Sequence, residues 1–141
     1  KETLSHGRRR MIKAISHLGV AVNDLEEARN YYRSIFGLES SEPMIGGGGT
    51  VKASLVELDN AVVELLAPIG SEGAIAKFLE KRGEGIQHVC YEVDDINAEI
   101  ESLKAKGIEP LGKPMPGAEG LSVFLHPKGT HGVLVELVEK K

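Results

Sequence analysis

The feature that most constrains this chain is an internal repeat. The stretch that opens at His17 with HLGVAVNDL returns 71 positions later at His88 as HVCYEVDDI. Each copy is followed by a helical pattern and, much later, by a short apolar strand that carries one glutamate. Glu64 lies 47 positions after His17, and Glu136 lies 48 positions after His88. A duplication usually places its halves about a pseudo-two-fold axis, so we expect equivalent side chains from the two copies to converge.

These four side chains have the composition of a metal site. A single histidine in a strand is usually an ordinary core or surface residue. A glutamate within an apolar strand is costly to bury unless it is paired or bound to metal, and here this occurs at Glu64 and again at Glu136. Two neutral imidazoles and two carboxylates balance a divalent charge and leave positions open for two substrate oxygens. We therefore predict that His17, Glu64, His88 and Glu136 bind one divalent metal ion.

Chain length and composition predict one domain over 11–141. The chain has 141 residues, enough to bury a core without disulfides or a structural metal. We expect module 1 at about 12–70, module 2 at about 84–139, and a short helix joining them. Residues 1–10 end in three arginines before Met11 and are interpreted as a leader or cloning remnant, or else as a trimmed organelle-targeting segment.

Charge and cysteine usage exclude several classes of partner. The net charge is −4 and the basic residues are scattered, which argues against nucleic-acid binding. No run approaches the roughly 18 apolar residues of a membrane span. The single cysteine, Cys90, is typical of a reducing compartment. We expect a cytoplasmic protein, or a mitochondrial matrix protein if the N-terminal stretch is a trimmed targeting segment.

Hydrophobic periodicity predicts the same element order in each half: a strand, a helix, then strands in hairpin arrangement. The first helix follows Asn23 or Asp24 and ends at Gly37, and the second runs from Asp95 to Gly107. A connecting helix is predicted over 74–82. The segment with three prolines, at positions 110, 114 and 116, is predicted to be a loop.

Other polar residues have two interpretations each. Cys90 could be a fifth, soft ligand, but a small buried residue that lets substrate approach is favoured, as for Gly19 in the first half. His126 is either a turn residue or part of the substrate mouth, and the turn is favoured. The four glycines from Gly46 to Gly49 lack the strand-to-helix setting of a phosphate-binding loop.

The duplicated pattern of histidine and glutamate resembles the vicinal oxygen chelate superfamily, which includes glyoxalase I and extradiol dioxygenases. Within it, several runs resemble the methylmalonyl-CoA epimerase family, and the resemblance extends from about Ile12 to Val138. These runs are SEGAIAKFLEKRGEG at 71–85 followed by Ile86-Gln87-His88, VELLAP at 63–68, PGA at 116–118, and FLHPK at 124–128 leading to GVLVEL at 132–137.

The resemblance implies an α+β fold of two tandem βαβββ modules that form a cupped mixed sheet, commonly as a homodimer. It implies one divalent ion per site, such as Co, Mn, Ni, Zn or Mg, held by His17, Glu64, His88 and Glu136. The implied reaction interconverts (2R)- and (2S)-methylmalonyl-CoA, a CoA thioester, through an enolate that the metal stabilises, with Glu136 also in a catalytic role. Lys128 and Arg82 are candidates for contact with the CoA phosphates.

One position departs from the family. The acid/base glutamate that the family carries before the third strand falls on Gly48 here. Inversion needs proton transfer on both faces of the carbon, so we expect weak or altered activity unless Glu42, water or Glu136 substitutes. Gly48→Glu should then raise epimerisation. The alternatives are another enzyme of the superfamily, such as a glyoxalase-like isomerase or a lyase that needs one base, and a small-molecule binding protein of the same fold. The filled ligand set argues against the binding protein.

Overall fold

The structure is a computed structural model that describes residues 11–141, so the predicted leader over 1–10 lies outside the described residues. Eleven helices and strands follow one another. In chain order they are β1 (Ala14–Ala21), α1 (Leu25–Phe36), β2 (Met44–Gly46), β3 (Val51–Glu57), β4 (Val62–Pro68), α2 (Ala74–Arg82), β5 (Gly85–Glu92), α3 (Ile96–Ala105), β6 (Pro110–Pro116), β7 (Gly120–Leu125) and β8 (Val135–Lys140).

The element order is βαβββ twice, with α2 between the two copies. The strands are hydrogen-bonded in the order β2-β3-β4-β1-β5-β8-β7-β6. Strand β1 is parallel to β4, whereas β2–β3, β3–β4, β6–β7 and β7–β8 are antiparallel. The predicted α+β fold with two tandem βαβββ modules and a mixed sheet is confirmed.

The described chain packs as two compact units, His17–Val89 and the residues before His17 together with Cys90–Lys141. In the first unit, the residue that follows β1 and apolar residues of α1, β3 and β4 form one buried cluster: Val22, Leu25, Val56, Leu65 and Ala67. In the second, α3, β7 and β8 supply most of the buried apolar side chains: Ile96, Ile100, Leu103, Val123, Leu125, Val135, Leu137 and Val138. The predicted domain and module boundaries stay predictions.

The helices begin where the acidic residues of the repeat predict. The Asp24 carboxylate accepts a hydrogen bond from the Glu27 N–H at 3.0 Å, and the Asp95 carboxylate accepts one from the Ala98 N–H at 3.1 Å. Helix α1 ends at Gly37, whose φ of 70° is the left-handed conformation that glycine adopts without strain. None of the helices within 11–141 is long and apolar enough to cross a membrane.

The loop predicted from the three prolines is wrong, because the segment from Pro110 to Pro116 is strand β6. Among the strands described over 11–141, this one lies at an edge of the sheet and pairs with β7. Proline lacks a backbone N–H and is tolerated in sheets at edges and bulges. The pairing register shifts between Leu111 and Met115, which fits that explanation.

Candidate metal centre

Three strands bring three of the predicted ligands together. His17 lies on β1, Glu64 on β4 and His88 on β5. In the parallel pairing of β1 with β4, the residue opposite Glu64 is Gly19. His17 and Gly19 share a face of β1 because side chains alternate along a strand. The glutamate therefore lies diagonally across from His17, beside a residue that has no side chain.

The three side chains point their donor atoms at one another. His17 Nε2 is 2.9 Å from His88 Nε2, and Glu64 Oε1 is 3.2 Å from His17 Nε2 and 3.9 Å from His88 Nε2. The two imidazoles cross edge to face, with an interplanar angle of 85°. Both histidines are buried, with 6% and 5% of their surface exposed, and the Glu64 side chain is 18% exposed.

This arrangement fits a divalent ion. Ligands at about 2.1 Å from a metal and about 90° apart are separated by about 3 Å, and a tetrahedral angle widens the separation to about 3.4 Å. The three separations in the structure, 2.9, 3.2 and 3.9 Å, span these values. Two imidazole nitrogens and a carboxylate oxygen form a donor set suited to Zn, Co, Ni or Mn.

The neighbouring residue fixes the tautomer of His88. Its Nδ1 lies 2.6 Å from Oε1 of Gln87, so Nδ1–H donates to that amide oxygen. A neutral imidazole that donates from Nδ1 carries its lone pair on Nε2, the atom that faces His17 and Glu64. A hydrogen bond of this kind orients metal-binding histidines and raises their basicity. The sequence reasoning missed this role of Gln87, since nothing in its spacing signals it.

The interpretation of Gly19 as a residue that lets substrate approach is wrong. A methyl group built on Gly19 would overlap the imidazole ring of His88. The space that Gly19 leaves open is therefore filled by a predicted ligand. A glycine is required here so that the backbone of β1 can lie close to His88.

The other predicted site residues lie elsewhere or stay predictions. Glu136 is a half-buried residue of β8 opposite Phe124, in the other compact unit, and its role as a ligand and in catalysis stays a prediction. Cys90 is fully buried and forms no disulfide. His126 lies in a turn, as the sequence predicts: it is exposed, and its Nδ1 accepts a hydrogen bond from the Lys128 N–H at 3.0 Å.

The connection between β2 and β3 carries no side chain at the position of the expected acid/base. Gly47, Gly48 and Gly49 have φ values of 58°, 66° and 92°, so the turn is left-handed throughout. Nothing lies within 4 Å of a Cβ built on Gly48. Glu42, one of the proposed substitutes, is exposed.

Comparison with known proteins identifies the family. Residues 16–124 match the Glyoxalase/Bleomycin resistance protein/Dioxygenase superfamily. The mitochondrial methylmalonyl-CoA epimerase of Bos taurus is 45% identical over 126 residues, which cover 87% of this chain and 72% of that protein. An ethylmalonyl-CoA/methylmalonyl-CoA epimerase of Cereibacter sphaeroides is 44% identical over 131 residues, 90% of this chain and 98% of that protein. The crystal structure of methylmalonyl-CoA epimerase from Mycobacterium tuberculosis superimposes with a TM-score of 0.88 at 30% identity and covers all of this chain and 93% of that one.

Proposed function

Because this chain belongs to the Glyoxalase/Bleomycin resistance protein/Dioxygenase superfamily, we propose that it is a metal-dependent epimerase that interconverts (2R)- and (2S)-methylmalonyl-CoA. The observation that carries the proposal is the convergence of His17, Glu64 and His88 in a chain whose relatives at 44–45% identity are epimerases of this substrate.

The ligands would be His17, Glu64 and His88, with Glu136 as the fourth. A divalent ion held by these residues would supply Lewis acidity to the bound substrate and make its α-proton more acidic. Gln87 holds His88 in the tautomer that binds metal. Co, Mn, Ni, Zn and Mg all remain candidates, since imidazole and carboxylate ligands suit several of these ions.

The chain's own residues must then move the proton. Inversion requires one group to remove the α-proton from one face and another to return a proton to the opposite face. Glu136 is proposed for one face. The turn at Gly48 provides no group for the other, so a further residue is needed.

A second candidate function follows from the same turn. A glyoxalase-like isomerase or a lyase can work with a base on one face only, so a turn without a side chain at Gly48 is compatible with such a reaction. A small-molecule binding protein of this fold is disfavoured, because three groups with metal-ligand chemistry converge in one buried cluster.

The remaining proposals concern the oligomeric state, the contacts with CoA and the subcellular location. We expect a homodimer that takes a CoA thioester, with Lys128 and Arg82 as candidates for contact with the CoA phosphates. Lys128 is exposed, and the Arg82 guanidinium lies 5.8 Å from the centre of the Phe78 ring. The protein is proposed to work in the cytoplasm, or in the mitochondrial matrix like the relatives whose names say mitochondrial.

The test is proton NMR of methylmalonyl-CoA in D₂O with the cobalt-loaded protein, following loss of the α-proton together with the stereochemistry at C2. We expect exchange with inversion, and loss of both when EDTA removes the metal. Cobalt returned to the stripped protein should restore the reaction. Absence of exchange from the metal-loaded protein would contradict the proposal and favour another substrate or a binding role.

A further inference from the structure

The predicted ligand Glu64 has one apolar neighbour across the sheet. In the antiparallel pairing of β3 with β4, the residue opposite Glu64 is Leu55. Directly opposed residues project to the same face of a sheet, so Leu55 lies on the face that carries the Glu64 carboxylate. On the other side of Glu64 lies Gly19, whose free space is filled by the His88 ring. All of these residues belong to the compact unit His17–Val89.

Two hydrogen bonds fix the position of Leu55 in β3. The Ser41 N–H donates to the Leu55 carbonyl at 2.8 Å, and the Leu55 N–H donates to Ser41 Oγ at 2.9 Å. Because both backbone groups of Leu55 point toward Ser41, Leu55 and Glu64 form an antiparallel pair of the kind that exchanges no backbone hydrogen bonds. In such a pair the Cα atoms lie about 4.5 Å apart and the side chains are closest. The Leu55 side chain is therefore held beside that of Glu64.

The Leu55 side chain is half-buried and belongs to neither of the two apolar clusters described within His17–Val89. Its neighbours along β3 do belong to them. Val56 packs with Leu25 of α1 on the opposite face of the sheet, and Ala53 packs with Ile75 of α2 on the same face as Leu55. Leu55 thus lies beyond the part of this face that α2 covers, and its side chain is available to contact a bound molecule.

The chemistry of the proposed substrate calls for an apolar contact at this place. The C2 atom of methylmalonyl-CoA carries a proton, a methyl group, a carboxylate and a thioester carbonyl. The two oxygen-bearing groups need polar partners, whereas the methyl group gains free energy when it leaves water for an apolar surface. If the oxygens face His17, Glu64 and His88, the methyl group lies close to these three side chains, because C2 is bonded to both oxygen-bearing groups. Leu55 is the apolar side chain that borders Glu64.

Two other apolar side chains of this face are less well placed. Val62 lies opposite His17 on β4, but its side chain is shorter than that of Leu55 and reaches less far from the sheet toward the ends of the ligand side chains. Ile86 lies two positions before His88 on β5, about 7 Å along the strand, and is 63% exposed. Neither is paired with Glu64.

We propose that Leu55 determines specificity by limiting the size of the substituent at C2, and that its side chain contacts the methyl group of methylmalonyl-CoA. The inference rests on the proposed epimerase function. Ethylmalonyl-CoA has a substituent that is longer by one methylene, and this methylene meets the fixed Leu55 side chain. A shorter residue at this position provides room for it. One methylene in an apolar pocket changes kcat/KM by about 10-fold to 200-fold.

The experiment measures kcat/KM for enzyme-dependent exchange of the α-proton in D₂O, with methylmalonyl-CoA and with ethylmalonyl-CoA, by cobalt-loaded wild type and Leu55→Ala. We expect wild type to prefer methylmalonyl-CoA by at least about 10-fold, and Leu55→Ala to shift the ratio toward ethylmalonyl-CoA by at least about 10-fold. Leu58→Ala is the matched control, because Leu58 is 42% exposed just after β3. Its ratio should shift by well under about 10-fold.

Further variants and a second readout sharpen the result. Leu55→Phe adds volume and should slow ethylmalonyl-CoA more than methylmalonyl-CoA. Leu55→Val is a smaller change and should shift the ratio in the same direction as Leu55→Ala, by a smaller factor. Val62→Ala should shift the ratio less than Leu55→Ala does. Titration calorimetry should show cobalt binding by Leu55→Ala as tight as that of wild type, because leucine offers no ligand atom.

Three results would overturn the inference. If wild type converts both thioesters equally well, or if Leu55→Ala keeps the wild-type ratio, Leu55 sets no limit on the substituent and the epimerase function still stands. If Leu55→Ala and Leu55→Val lose cobalt binding, or lose both activities to the same extent, Leu55 supports the metal site or the fold instead. A wild type that exchanges neither thioester contradicts the proposed function, and the inference falls with it.

Discussion

The two modules share one plan of strand, helix and hairpin, yet their second-to-third strand connections differ. In the first, three consecutive glycines adopt positive φ and leave open space at Gly48. In the second, Glu119 is held by a buried serine. The common scaffold depends on alternation and core packing, which such turns do not disturb. This connection can therefore differ between the two copies of the repeat without loss of the common fold.

The modules also differ beside the histidines. Gly19 lies two positions after His17, and Cys90 lies two positions after His88. The first position leaves no room for a side chain because the His88 ring lies against it. The second holds a fully buried thiol. Equivalent positions of the repeat therefore differ in the space that is available for a side chain.

The largest expected effect tests whether the two halves contribute equally to the metal site. His17→Ala and His88→Ala should each weaken cobalt binding by more than about 100-fold, because loss of an outer-shell partner alone costs about 10-fold to 100-fold. Calorimetric titration with cobalt measures this. His126→Ala is the matched control, since His126 is an exposed turn residue. If either variant binds cobalt as tightly as wild type does, the substituted histidine is not a metal ligand.

The next largest loss of cobalt affinity is expected from a substitution at Gly19, the glycine that faces His88. Gly19→Ala should displace the imidazole and weaken cobalt binding by about 10-fold to 100-fold, the range for residues that orient a ligand. Cys90→Ala, the equivalent position in the second module, shortens a side chain and should bind cobalt within about threefold of wild type. Equal losses in the two variants would show that Cys90 is itself a ligand.

Much of the fold and part of the site follow from local sequence signals. Alternation around His17 and His88 and the acidic residues at Asp24 and Asp95 give strands and helices directly, because these signals act within a few residues. Strand β6 was missed because its prolines are compatible with pairing only at an edge, and edge position is a property of the whole sheet.

The site shows the same division between local and tertiary information. The repeat predicts that His17, Glu64, His88 and Glu136 converge. The first three lie together, and Glu136 stays a prediction. The roles of Gln87 and Gly19 depend on where a neighbouring ring lies in space, which only the three-dimensional packing determines.

The smallest expected effect is on the free energy of unfolding, and it compares the N-caps of α1 and α3. Asp24→Ala should lower the free energy of unfolding by about 1 kcal/mol, the usual loss for an N-cap. Asp95→Ala should cost about half as much, because the Glu139 carboxylate already accepts a hydrogen bond from the Ile96 N–H at 2.9 Å and offsets the positive helix end. Asparagine at either position caps nearly as well and is the control. Urea denaturation measures the difference, and in a Glu139→Ala background the two losses should become equal. If Asp95→Ala costs as much as Asp24→Ala with Glu139 intact, the second carboxylate contributes nothing to the start of α3.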